Sequence, residues 1–135
     1  MIEETLLKLT KKAIKKNEVP VAAIITKNNK IISKAINTRE KSHNVLGHAE
    51  IIAIHKASKK LKTWKLNECV LYTTIKPCSM CMEVIKNSRI KRIYYYLENE
   101  KQNLSQIKII KIENEFNDQY KKIVKKFFKT IRNSD

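Results

Sequence analysis

The hydrophobic positions along the chain fall into short blocks whose period changes from block to block. Ile2, Leu6, Leu9 and Ala13 recur at spacings of four and three, the stripe of an amphipathic helix ending near Asn17. Residues 20–25 (PVAAII) form a continuous apolar run, Asn28-Asn29 signals a turn, and residues 30–36 (KIISKAI) follow, so a β-hairpin is predicted. Residues 38–47 read as polar loop. From His48 to about Leu61 the pattern is helical, with Ile51, Ile54 and Ala57 (or Ile52) turned inward. Residues 70–74 read as a buried strand. Pro77 then opens a short helix through about Asn87, where its missing N–H costs nothing. Residues 90–96 are another β-branched and aromatic strand, and 107–112 (IKIIKI) are one further strand candidate. A last helix over about 115–132 is expected to bury Ile123, Val124, Phe127, Phe128 and Ile131, with lysines on its opposite face. Strands alternating with helices predict an α/β fold, a sheet covered on its faces.

Composition narrows the class. The chain has 135 residues, a length for one domain spanning 1–135, and its 42% hydrophobic content suffices for a modest core. One glycine (Gly47) and two prolines (Pro20, Pro77) exclude collagen-like, flexible-linker and proline-rich disordered classes. No apolar run approaches the ~20 residues needed to cross a bilayer. The N-terminus sets acids ahead of its apolar residues, unlike a signal peptide. Three cysteines cannot complete a disulfide framework, so a reducing, cytoplasmic compartment with thiols free or metal-bound is expected. The balance of 29 Lys+Arg against 13 Asp+Glu gives a formal charge of +16, open to two explanations. One is a polyanionic partner such as nucleic acid. The other is an A/T-rich coding sequence, which also explains abundant Ile, Lys and Asn beside scarce Gly, Pro and Arg.

The candidate chemistry sits in two helix openings, His48-Ala49-Glu50 and Pro77-Cys78-Ser79-Met80-Cys81. Cysteines at i and i+3 share one helix face, so both thiolates reach one ion. Cys78 also stands at a helix N-terminus, where the dipole favours a thiolate. With His48 as a nitrogen ligand, the set suits tetrahedral Zn²⁺ and leaves its fourth position to water, as in catalytic zinc sites. Positions 48 and 50 are about 200° apart on a regular helix, so His48 and Glu50 converge only if the helix begins there. Glu50 would then stand beside the metal without ligating it, placed to move protons between water and substrate. Other readings of the motif are a redox pair or a closed structural zinc site with Cys69 as fourth ligand, although Cys69 also reads as a small buried hydrophobe. His55 lies about 10.5 Å up the helix axis from His48 and cannot share its ion. His43 falls in the polar loop.

The order H-x-E … P-C-x-x-C is the signature of zinc-dependent nucleobase deaminases. The chain resembles the cytidine/deoxycytidylate deaminase superfamily and, more narrowly, the bacterial tRNA-specific adenosine deaminases. The resemblance runs to about residue 96 and resumes near the C-terminus. Its carriers are Glu18-Val19-Pro20-Val21, Asn37-Thr38-Arg39-Glu40, His48-Ala49-Glu50-Ile51, Thr63-Trp64-Lys65-Leu66, Leu71-Tyr72-x-Thr74, Pro77-Cys78-x-Met80-Cys81, Ser88-Arg89-Ile90 and Phe127-Phe128-Lys129-x-x-Arg132. It implies a three-layer fold whose central mixed sheet of about five strands is covered by helices. It also implies hydrolytic deamination of adenosine to inosine at the wobble position of a tRNA anticodon stem-loop. One Zn²⁺ per subunit would be held by His48, Cys78 and Cys81, with Glu50 as general acid/base. Asn37 would hydrogen-bond the flipped nucleoside, and backbone N–H groups around Ala49 would help hold the base or the metal-bound hydroxyl. Phe127 or Phe128 would sit near a flanking nucleotide, the other serving as core. The family's homodimeric assembly is carried over in the same way.

Several positions depart from the family pattern: Ala22 for a usual Gly, Lys76 for the acid before Pro-Cys, residues 82–84 (MEV) for small residues, and Tyr96 for a Gly. Beyond residue 97 a Gly-rich loop is shortened, and Lys101 is its candidate lysine. These changes put in question the dimer contacts and the RNA-facing loop that the resemblance implies, and leave the zinc chemistry untouched. Two alternatives stand beside the main expectation. One is a deaminase of a free base or nucleotide (guanine, cytosine or deoxycytidylate). The other is a zinc-stabilised RNA-binding module or an inactive partner subunit, against which the intact Glu50 argues.

Overall fold

The computed structural model describes residues 1–40, 43–98 and 108–133, with side chains described as far as Thr130. Lys101 and the side chains of Ile131 and Arg132 lie outside the described residues. In chain order the elements are α1 (Ile2–Lys15), β1 (Ala22–Lys27), β2 (Lys30–Ile36), α2 (Ala49–Leu61), β3 (Cys69–Ile75), α3 (Ser79–Asn87), β4 (Arg92–Leu97), β5 (Lys108–Lys111) and α4 (Glu115–Asn133). Five strands form one sheet in the order β2-β1-β3-β4-β5. β1 runs antiparallel to β2 and β3, whereas β3, β4 and β5 are parallel. The sheet is therefore mixed, and α3 provides the crossover between parallel β3 and β4.

Helices cover both faces, which is why β1 reads as an unbroken apolar run rather than an alternating one. Ala23 and Ile25 face one side with Ala53 and Ala57 of α2 and Met82 and Ile85 of α3. Ala22 and Ile24 face the other with Leu6 of α1 and Phe116 and Tyr120 of α4. The expected three-layer α/β architecture is observed.

Element ends differ from the periodicity. β1 starts two residues after Pro20 and extends through Thr26 and Lys27, because its ladder with β3 continues into these polar positions. Asn28 and Asn29 both adopt positive φ (52° and 64°), as a tight right-twisted hairpin turn requires. Pro77 precedes the N-cap of α3, Cys78, instead of occupying its first helical position. On α4, Phe127 is buried, Ile123 and Val124 are half-buried, and Phe128 is 41% exposed. The expectation that Phe128 is buried with the stripe is thus corrected. It packs edge-on to Phe127 at 5.3 Å from an exposed position, so one ring of the pair is core and the other is exposed, as the alternative for this pair expects.

Candidate metal centre and active site

Two helices begin at one place. α2 starts at Ala49 with His48 as its N-cap in extended conformation, φ −82° and ψ 137°. α3 starts at Ser79 with Cys78 as its extended N-cap. Both positive helix ends therefore converge on the site and favour anionic groups there. Because α2 begins where it does, His48 and Glu50 are freed from the 200° separation of a regular helix. The sequence condition for their convergence is met.

The helix start of α2 is built by neighbours rather than by a side-chain cap. The Ala49 N–H donates to Asn37 Oδ1 at 2.9 Å. Just upstream, the Thr38 N–H donates to the Gly47 carbonyl at 2.8 Å, closing the 38–47 loop on itself. A Cβ at Gly47 would lie 2.6 Å from the Arg39 backbone nitrogen, so the chain's single glycine is required by close backbone approach. This packing fixes the entry to His48.

His48, Cys78 and Cys81 offer ligand atoms that all lie within 4.8 Å of one another. His48 Nδ1 is 3.8 Å from Cys78 Sγ and 3.3 Å from Cys81 Sγ. Tetrahedral zinc with ordinary bond lengths requires a sulfur-to-nitrogen separation of ~3.5 Å, which the two distances bracket. The donor set also carries its own argument. Burial pushes the Cys81 thiol strongly up, and the nearby Glu50 and Cys78 push it further. Burial holds His48 below the usual imidazole range, with Arg39 adding to the effect. A neutral imidazole and two crowded thiols are a soft, electron-rich set that a divalent cation would neutralise. The residues present fit zinc. Burial also raises the Glu50 carboxyl to about 7, against smaller opposing pulls from its backbone hydrogen bond and from Cys81.

A cavity of about 160 Å³ opens here, lined by Val21, Asn37, His48, Glu50, Ile75, Lys76 and Cys78. Five of the expected site residues, His48, Glu50, Cys78, Cys81 and Asn37, thus gather at one place. Other candidates do not. The Ala49 N–H, expected to help hold a ligand, is donated to Asn37 Oδ1, while Asn37 itself lines the cavity and keeps its amide NH₂ as a donor. Phe127 lines a different cavity with Ile14, Asn17, Ile123, Lys126 and Thr130. Cys69 opens β3, ~20 Å along the strand from Ile75 at the cavity, and so cannot close the metal site. His43 and His55 are exposed. Val21, Ile75 and Lys76 line the cavity without having been singled out as site residues. Only Lys76 carried a signal, as a cation standing where the family pattern has an acid. Its ammonium lies 3.9 Å from Glu98 and over the Tyr95 ring.

Known proteins resemble the chain in sequence and in fold. A sequence profile of the MafB19-like deaminases matches residues 2–132. The tRNA-specific adenosine deaminase of Rickettsia bellii (strain RML369-C) is 44% identical over 97 residues, covering 70% of this chain and 67% of the relative. A structure solved in a study of A-to-I editing by tRNA:A34 deaminases at the wobble position of transfer RNA superposes with a TM-score of 0.74. Its identity is 25%, over 81% of this chain and 95% of that one. The guanine deaminase of Bacillus subtilis superposes with a TM-score of 0.64 at 26% identity, covering 96% and 93%. On its fold, its paired motifs and these matches, the chain belongs to the MafB19-like deaminases and to the family of the bacterial tRNA-specific adenosine deaminases.

Proposed function

We propose that this protein is a zinc-dependent hydrolase that converts adenosine to inosine at the wobble position of a tRNA anticodon. The observation that carries the chemistry is the gathering of His48, Cys78 and Cys81 around one point with Glu50 on the same cavity wall. The 44% identity to a tRNA-specific adenosine deaminase supports the substrate. In this reading residues 1–135 are one deaminase domain, acting in the cytoplasm as a homodimer. No helix among the described residues is long and apolar enough to cross a membrane.

One Zn²⁺ per subunit, held by His48, Cys78 and Cys81, would lower the pKa of a water molecule and so provide a nucleophile near neutral pH. The chain's own residues do the rest. Glu50, buried on the cavity wall, takes a proton from the water and delivers it to N1 of the purine. As the water oxygen bonds to C6, Glu50 takes the second proton of that water and passes it to the exocyclic nitrogen at C6. One water is consumed, the C6–N bond breaks, and ammonia leaves as inosine forms. Asn37 presents its amide NH₂ to the nucleoside while its oxygen holds the start of α2. Val21 and Ile75 give the flat base apolar walls. Anticodon-loop bases are already unpaired, so presenting the adenosine to this cavity takes little unstacking energy. Exposed Lys121, Lys122, Lys125, Lys126 and Lys129 on α4 meet phosphates, and the exposed Phe128 offers a ring to a flanking base.

The likeness to a guanine deaminase favours a second reading, in which the substrate is a free base. One assay separates them. Inosine formation in an adenosine-containing anticodon stem-loop is measured beside ammonia release from free adenine, guanine, cytosine and deoxycytidylate. The stem-loop alone should react; release from a free base with an inert stem-loop overturns the RNA reading.

A further inference from the structure

Pro20 and Val21 lead the chain into β1 along the wall of the cavity, and Val21 lines it. This bend lies beyond the end of the β1–β3 ladder, whose last pair is Ala23 with Thr73. On that side side chains, not backbone pairing, hold it. The buried Tyr120 hydroxyl, from α4, donates to the Pro20 carbonyl at 2.8 Å. It accepts in turn from the Thr74 hydroxyl at 3.1 Å. Thr74 Oγ1 receives the Ala22 N–H at 3.2 Å. On the other side of the bend, the Val21 carbonyl accepts the Asn37 N–H at 3.2 Å. Asn37 Oδ1 then holds Ala49, between His48 and Glu50, at 2.9 Å. These bonds, linked through the covalent step from Pro20 to Val21, run from α4 to the start of α2.

Packing does not explain the phenol. Its ring stacks on Phe116 with centroids 5.8 Å apart and planes 8° apart, a contact phenylalanine would make equally well. Burying a hydroxyl is unfavourable unless it is bonded, and this one bonds Pro20 and Thr74, the residues next in the chain to Val21 and Ile75 of the cavity wall. Burial raises its pKa strongly, opposed by the Thr74 bond and assisted by the Glu50 carboxylate, so the phenol stays neutral within electrostatic reach of the proton carrier.

We infer that Tyr120 is a positioning residue for deamination: through Pro20 and Thr74 its hydroxyl sets the Val21 wall of the cavity that holds the target base beside His48, Cys78 and Glu50. The inference rests on the proposed activity. It makes α4, the helix bearing the RNA-facing lysines, also the support of the cavity wall.

Tyr120→Phe removes the hydroxyl and keeps the ring. The expected result is a loss of about tenfold in kcat, since misplacing a bound substrate by a fraction of an ångström has effects of this order. KM for the stem-loop and zinc content should stay within about twofold of wild type, a split that general unfolding would not produce. Thr74→Val should lose kcat similarly, Thr74→Ser should restore it, and Tyr120→Phe with Thr74→Val should be little worse than either alone. A kcat within about twofold of wild type for Tyr120→Phe overturns the inference, whatever happens to its melting temperature. So does a loss that disappears when the assay temperature is lowered into the fully folded range. Should Tyr120→Phe fail to fold, the Thr74→Val and Thr74→Ser pair decides by the same criterion. A wild-type protein inert on the stem-loop sinks the substrate reading instead, and the same ratios on whichever base it does deaminate still decide the role of Tyr120.

Discussion

In the metal-free protein, Glu50→Gln should stabilise the fold at alkaline pH while changing it little in acid. Glu50 is 3% exposed, and burial lifts its carboxyl from the ordinary 4.5 to about 7. The folded state therefore binds this proton more tightly than the unfolded chain does. The stability associated with Glu50 is complete below pH 4.5 and is lost as pH rises through about 7. At ~1.36 kcal/mol per pH unit, the loss levels off near about 3 kcal/mol above pH ~8. Glutamine keeps the shape and never ionises, so it escapes that loss. Urea denaturation of chelator-treated wild type and variant would read the difference at pH ~5, ~7 and ~8.5. The gap should open from small to about 3 kcal/mol, or roughly 10 °C in melting temperature. Added zinc should narrow it, because a cation beside the carboxylate favours the ionised form. A gap that stays constant across this range would refute the reasoning, since the other titrating groups are common to both proteins. The same substitution should abolish turnover. An acid that weakens the fold where it works is retained for the proton it carries.

Gly47→Ala should destabilise the protein by about 1–3 kcal/mol and weaken zinc binding, because the new Cβ meets the Arg39 and Thr38 backbone, which cannot step aside. Melting temperature and zinc content after dialysis check this together, and an alanine variant unchanged in both would contradict the close approach. Cys81→Ser should lose zinc, whereas Cys69→Ala should keep both zinc and turnover; zinc loss from Cys69→Ala would mean that the site is closed rather than open. Lys62 caps α2 at φ 55°, a left-handed conformation that favours glycine. Lys62→Gly should therefore raise stability by about 0.5–1 kcal/mol in thermal unfolding without touching activity, and a fall in stability would place a needed contact on the lysine side chain.

The parts of this protein legible in its sequence are those whose cause is local. A helix with one apolar stripe announces itself at α1, and a strand buried on both faces announces itself at β1 and β3, whatever lies elsewhere in the chain. The metal ligands are legible for the same reason: each half of the motif is a few residues long and each sits at a helix opening. Even the convergence of His48 with Glu50 could be stated as a condition on where α2 begins. Glycine scarcity hid other features. Asn17, His43, Lys62 and Arg89 all hold positive φ, and only the Asn28-Asn29 pair gave a turn signal, since lysine and arginine do not advertise a left-handed backbone. Phe128 reads as part of the stripe because an apolar stripe has a width, yet of the two rings only Phe127 is buried, beside Ile14 of α1, and its neighbour is left exposed. The cavity wall was invisible for a more basic reason. Val21 and Ile75 look like any strand residue until the ends of β1 and β3 are laid side by side. Tyr120 looks like one more aromatic on a helix stripe. Its partner Pro20 is a hundred residues away in the chain, and no spacing rule spans that distance. Motifs name the groups that perform a reaction because those groups are held by short segments. The groups that hold the cavity to shape are recruited by the fold, and become visible only once the layers are stacked.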